Sequence, residues 1–187
     1  SSYSFTVTAT DAAGTSNPTT VTFSITNVDD IVPTITSGAT GTDLVENSGA
    51  GQTVYTITAD ANDGGTNSYA IAGTDVALLS VTAATGVVTL TADPDYETKN
   101  SYSFTVTATD AAGTSAATTV TFSITNVDEV APTITSGATG TDLVENSSAG
   151  QTVYTIVAAA NDGGTISSYA IGGTDASLLS VNGASGV

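Results

Sequence analysis

Apolar and polar positions alternate with a period of two through much of the chain. Tyr102, Phe104, Val106 and Ala108 fall on one side of a run whose other side is Ser103, Thr105, Thr107 and Thr109. Val120, Phe122 and Ile124 alternate in the same way with Thr121, Ser123 and Thr125. Successive side chains of a strand point to opposite faces, so both runs predict strands with one buried face. Shorter runs at 53–59, 68–72, 78–82 and 87–91, with a first strand just before Glu46, bring the set to about seven, separated by Gly and Asp-Gly punctuation. The prediction is an all-β fold, a Greek-key β-sandwich of seven strands. Tyr3 and Tyr102 are read as core, and Asp43, Asp75, Asp142 and Asp175 as solvated loop acids.

The pattern is written more than once. The stretch 2–16 recurs residue for residue at 101–115, an offset of 99 from Tyr3 to Tyr102, and 35–48 recurs at 134–147. Leu78-Leu79-Ser80-Val81 recurs at 178–181 with an offset of 100, which places one inserted residue near Ile166. A period of this length suits a whole sandwich and is too long for a solenoid coil. Two similar linkers, 27–33 and 126–132, set the phase. Residues 1–30 read as the last strands of one repeat, 31–130 as a complete repeat and 131–187 as the opening part of a third. Strand exchange between the ends of different chains is the alternative. Against it, the end pieces together lack a counterpart of 88–100.

Composition agrees with strands and narrows the chemistry. Thr is about a fifth of the chain, and Thr, Val, Ile and Tyr suit a pleated, half-buried surface. Eighteen acidic residues face one basic residue, Lys99, for a net charge of −17. Nothing here could neutralise phosphates, so nucleic acid and anionic membrane surfaces are excluded as partners. No apolar run approaches the ~18 residues of a membrane span. No signal peptide is visible either, so targeting information is expected outside this stretch. The chain has no Cys and no His, which removes disulfides, thiolates and imidazole ligands. With 10% charged and 40% hydrophobic residues it is not a disordered acidic tail.

The acids fall at strand ends. Glu46 follows the first strand of the complete repeat, and Asp60, Asn62 and Asp63 sit in the loop after 53–59. Asp95 and Glu97 precede the strand of Tyr102, Asp110 closes it, and Asp128 and Glu129 lie in the linker. Stacked repeats would crowd these carboxylates together, where like charges repel. Hard cations with many oxygen ligands relieve that repulsion. Ca²⁺ accepts irregular shells of six to eight oxygens, whereas Mg²⁺ prefers strict octahedra and the softer metals want nitrogen or sulfur.

In this order, Val45-Glu46-Asn47, Asp63-Gly64-Gly65-Thr66-Asn67, the run 81–90, Asp95-Tyr96-Glu97, Ala108-Thr109-Asp110-Ala111-Ala112-Gly113 and the linker ending in Pro132 resemble the cadherin repeat. The Thr-rich form looks like the extender arrays of large bacterial surface adhesins of the RTX type. The resemblance implies calcium ligands. Glu46, Asp95, Glu97, Asp128 and Glu129 would serve the junction between the second and third repeats. Asp29, Asp30, Asp110 and the Asp60–Asp63 loop would serve the one before it. Glu145 and Asp11 would face junctions outside the chain. The early loop has two registers. One uses Asp60 and Asn62, but its third-repeat counterpart has Ala159. The other uses Asp63, which has the Asp-x-Gly-x-Asn spacing in the first copy and persists as Asp162, and it is preferred. Asn27 and Asn126 depart from the family, which often begins this linker with Asp.

The expected function is that of a calcium-rigidified extender of an extracellular or cell-surface adhesin or matrix fibre, serving adhesion or biofilm attachment. Its partners would be calcium, neighbouring repeats and other copies in a fibre. No enzymatic role is expected, because Asp95 and Glu97 belong to the acids gathered at a junction and no aromatic cleft flanks them. The rival is a carbohydrate-binding module of a secreted polysaccharide-active protein, which calls for exposed aromatic residues.

Overall fold

The computed structural model describes residues 1–187 and is all-β apart from two short 3₁₀ turns, Val76–Leu78 and Ala176–Leu178. Nine strands carry the architecture around the candidate sites: β1 (Ser2–Val7), β2 (Thr19–Ser24), β3 (Leu44–Val45), β4 (Thr53–Thr56), β5 (Ser68–Ala72), β6 (Leu79–Val81), β7 (Val87–Leu90), β8 (Ser101–Thr109) and β9 (Thr118–Thr125). One sheet has the order β6-β7-β4 and the other β3-β9-β8-β5, seven strands in two sheets as the alternation predicts. β1 and β2 form a separate two-stranded sheet with Tyr3 opposite Phe23.

By packing, the chain divides into two compact units. The first comprises residues 1–42, 51–91 and 103–122, and the second 43–50, 92–102 and 123–187. In the first unit, β8 pairs antiparallel with β5, Val106 opposite Ile71, and β7 pairs with β6 and β4. Val54, Ile57, Val88, Leu90, Phe104, Val106 and Val120 are buried there. The Phe104 ring stands edge-on to Tyr55 at 6.1 Å and to Phe122 at 6.4 Å, an arrangement that aromatic quadrupoles favour. In the second unit, Ile124 and Thr125 of β9 pair in parallel with Leu44 and Val45 of β3. That pairing brings Glu46 in beside the linker, and the Glu46 N–H donates to Thr125 O at 3.1 Å.

Two sequence expectations are corrected. Tyr102 is buried, but its copy Tyr3 is 47% exposed and stacks on Phe23 at 5.0 Å. The cause is local: β1 and β2 pair with each other and no second sheet covers their apolar face. Asp75 is not a solvated acid. It is 8% exposed, and its Oδ2 accepts the Ser103 N–H at 2.7 Å, which ties the turn before β6 to β8. Asp43 also works on the backbone, accepting the Ser123 N–H at 2.7 Å.

Candidate metal centres

Each unit contains a group of carboxylates beside a linker. In the first unit the group is built from the linker 27–30, the loop 60–67 and the turn 110–113. Asp110 shapes its turn through Oδ1, which accepts the N–H of Ala112 at 3.0 Å and of Gly113 at 3.1 Å. Gly113, at φ 142, takes a conformation that other residues resist. This leaves Oδ2 of Asp110 buried with no hydrogen-bond partner. Asp63 accepts the Asp30 N–H on Oδ2 at 3.0 Å, and its backbone carbonyl accepts Asn27 Nδ2 at 2.8 Å. Its Oδ1, the Oδ1 of Asn67 and both oxygens of Asp29 are likewise buried without partners. Asp29 packs against Gly65, where a Cβ would overlap its Oδ2.

The electrostatics follow from that crowding. Burial pushes the Asp29 carboxyl above its ordinary range, and the neighbouring Asp63 and Asp110 carboxylates push it further. Asp63 is held below the ordinary range, chiefly by the Asp30 N–H.

Asp60 and Asn62 are used differently. Asp60 Oδ1 accepts the Asn62 N–H at 2.9 Å, and Asn62 Nδ2 donates to Val32 O at 2.6 Å and to Thr34 Oγ1 at 3.3 Å. They fasten the loop to the linker, whereas Asp63 stands with Asp29 and Asp110.

In the second unit Glu46 is the anchor. It is 3% exposed, and its two oxygens accept the Tyr96 N–H at 2.9 Å and the Val127 N–H at 2.5 Å. One carboxylate thus pins both the Asp95–Glu97 segment and the linker. One oxygen each from Glu46, Glu97 and Glu129 lies within 4.8 Å of the others. Asn47, at φ 57, donates its side-chain amide to Glu129 Oε2. Asp162 accepts the Glu129 N–H on Oδ2 at 3.0 Å and takes Asn126 Nδ2 on its backbone carbonyl at 2.8 Å. The Oδ1 atoms of Asp162 and Asn126 are buried without partners. Asp128 packs against Gly164, the copy of Gly65, and a Cβ there would overlap its carboxylate. The Asp162 carboxyl pushes Glu97 up to about 7, with burial and the Glu46 charge adding to it.

Asp95 lies outside the three-glutamate cluster. It caps its own turn, accepting the Thr98 N–H and hydroxyl, both at 2.8 Å, and these bonds hold it below the ordinary range. Glu145, the copy of Glu46, is exposed. Asp11, the copy of Asp110, makes the same turn with Ala13 and Gly14. Lys99 lies over the Tyr102 ring at 5.1 Å from its centroid. Sequence reading gave no role to Asn47 or to the two glycines, although Asn47 and Gly65 stand in the motifs quoted above. Their signal was available in the exact copying of Glu46-Asn47 and Asp63-Gly64-Gly65 one period later.

Such a donor set suits a hard cation. Every candidate ligand is an oxygen, several are buried with no donor to receive, and pairs of carboxylates disturb one another's ionisation. Hard cations such as Ca²⁺ are the ions whose ligands are oxygens of this kind.

Comparison with known proteins agrees with the fold. Residues 42–125 match the model of the cadherin domain. No curated protein matches the chain in sequence. Among solved structures, the protocadherin gammaB7 EC3-6 cis-dimer is similar over 99% of this chain and 50% of that one, at 24% identity and a TM-score of 0.78. Mouse cadherin-23 EC22-24 is similar over 99% of this chain and 62% of that one, at 21% identity and 0.70. Human protocadherin-24 EC1-2 is similar over 69% and 59%, at 22% identity and 0.57. The chain therefore spans half to three-fifths of these relatives, and the likeness is one of fold. No helix is long and apolar enough to cross a membrane.

Proposed function

We propose that this cadherin-like chain is a calcium-stiffened spacer of an extracellular adhesin or matrix fibre, composed of repeats at 1–30, 31–130 and 131–187. The observation that carries this reading is the set of buried carboxylate oxygens without hydrogen-bond partners beside each linker: both of Asp29, Oδ1 of Asp63, Oδ2 of Asp110 and Oδ1 of Asp162. Leaving such groups unpaired is costly, and an array that repeats them at each junction has a use for them.

Asp29, Asp63 and Asp110 would hold calcium at the first junction, with Asp30 beside them. Glu46, Glu97, Glu129, Asp128 and Asp162 would hold it at the second, with Asp95 shaping the adjoining turn. Bound calcium supplies the positive charge that these residues lack. Glu46 fixes the linker whether or not an ion is present, because both its oxygens already hold backbone N–H groups. A ligand that binds one arrangement of a junction better than others raises the population of that arrangement, and here the result is a stiffer array. Attachment to a surface or within a biofilm then belongs to the parent protein and its bacterial host.

Glycan binding fits less well. Tyr55, Tyr102, Phe104 and Phe122 are buried, and the exposed Tyr3 and Phe23 are copies of two of them. Small-angle scattering of the chain in calcium and then in chelator tests the proposal. A rise in flexibility on chelation is expected. Identical curves, with no calcium binding by calorimetry, would overturn it.

A further inference from the structure

Each linker opens with an asparagine, and the two amides make the same bond. Asn27 Nδ2 donates to Asp63 O and Asn126 Nδ2 to Asp162 O, both at 2.8 Å. Three residues further on, the N–H groups of Asp30 and Glu129 donate to Oδ2 of Asp63 and Asp162, both at 3.0 Å. From the loop side, Asn62 Nδ2 reaches Val32 O at 2.6 Å and Asn161 Nδ2 reaches Ala131 O at 2.9 Å. Three bonds therefore fasten linker to loop in each copy, and every donor and acceptor in them is protein.

The first bond decides what residue can stand there. A backbone carbonyl only accepts, so the amide must turn its Nδ2 toward it and its Oδ1 away. In Asn126 that Oδ1 is buried and has no partner, as is the Oδ1 of Asp162. An aspartate could offer an oxygen to a cation but could not donate to the carbonyl, and without an ion it would add a further negative charge beside Asp162. Asparagine performs the donor role and keeps an oxygen free.

We propose that Asn27 and Asn126 are positioning residues that latch each linker to the following loop before any ion binds, presenting Asp63 and Asp162 in a fixed orientation. Calcium then completes a site already half assembled. The use of the latch rests on the calcium reading, but its existence does not.

The test uses the whole chain with wild type, Asn126→Asp and Asn126→Ala, followed by amide hydrogen exchange in chelator and in calcium, with calorimetry of calcium binding. In chelator the Glu129 amide of wild type should exchange about tenfold more slowly than in either variant, the size expected for one net hydrogen bond. In saturating calcium Asn126→Asp should regain protection through its added carboxylate, and Asn126→Ala should bind calcium about tenfold more weakly than wild type. Val54 and Val106 amides report whether the core stays folded. Asn27→Asp, read at the Asp30 amide, repeats the test should an Asn126 variant unfold. Equal exchange at Glu129 in all three proteins in chelator would overturn the latch. Slow exchange in wild type together with no heat of calcium binding would uphold the latch and overturn the calcium reading.

Discussion

Glu97 and Asp162 meet carboxyl to carboxyl, and the contact pushes Glu97 up to about 7 while Asp162 is held below the ordinary carboxylate range. A carboxylate beside another carboxyl disfavours its ionisation. Without metal, the folded protein keeps a proton on Glu97 at pH values where the unfolded chain, with its ordinary value of 4.5, has released it. The raised value makes a contribution to ion-free stability that is fully present below about 4.5 and lost as pH rises through about 7. Calcium held there would compete for the same oxygens. Its affinity at the second junction is predicted to rise between pH 6 and 8, with about one proton released per ion bound. Titration calorimetry in buffers of different ionisation heat measures this directly. An affinity that stays flat over that range in wild type would contradict it, and Glu97→Gln should flatten it.

Glu46 is predicted to matter with and without metal. Glu46→Ala removes the acceptor for two backbone N–H groups, those of Tyr96 and Val127. The expected loss is about 2 kcal/mol in chelator, and a larger gap from wild type in calcium. Glu46→Gln retains one good acceptor oxygen and should fall between them. Thermal melts in both buffers decide the matter; an unchanged melt of Glu46→Ala in chelator would show that the two bonds carry no stability.

The linker aspartates are predicted to depend on glycines that they touch. A methyl at Gly65 or Gly164 would occupy the space of the Asp29 or Asp128 carboxylate. Gly65→Ala and Gly164→Ala should therefore weaken calcium binding about tenfold, or about 1.4 kcal/mol. The chelator melt should move little, because a side chain can swing aside. Terbium luminescence or calorimetry reads the affinity, and wild-type affinity in both variants would rule out the close approach.

Asp75 is predicted to be structural and nothing more. Asp75→Ala leaves the Ser103 N–H without its carboxylate and should cost about 1.5–3 kcal/mol, with calcium affinity unchanged. Chemical denaturation paired with calorimetry separates the two effects. A loss of affinity at unchanged stability would place Asp75 in the metal sites instead.

Strands β8 and β9 were legible because their inward and outward positions alternate without interruption, and a period of two has one physical meaning. The same rule misjudged Tyr3, since alternation tells which face is apolar and not whether a second sheet covers it. Asp75 and Asp43 looked like ordinary loop acids because their partners, Ser103 and Ser123, lie 28 and 80 residues away. The candidate centres were legible as a set of acids at strand ends, and the repeat marked Asp63 through its copy Asp162. How those acids are held was not legible. Glu46 reaches Val127 across 81 residues, and Asn27 reaches Asp63 across 36.

The latch has a consequence for how such a protein can change over generations. On the proposed repeat boundaries its linker half would belong to one repeat and its loop half to the next, and both halves recur at an interval of 99 residues. Any copy can therefore follow any other. Deletion or duplication of one whole period would then leave the latch bonds in place, so the length of such an array would be free to vary in whole steps.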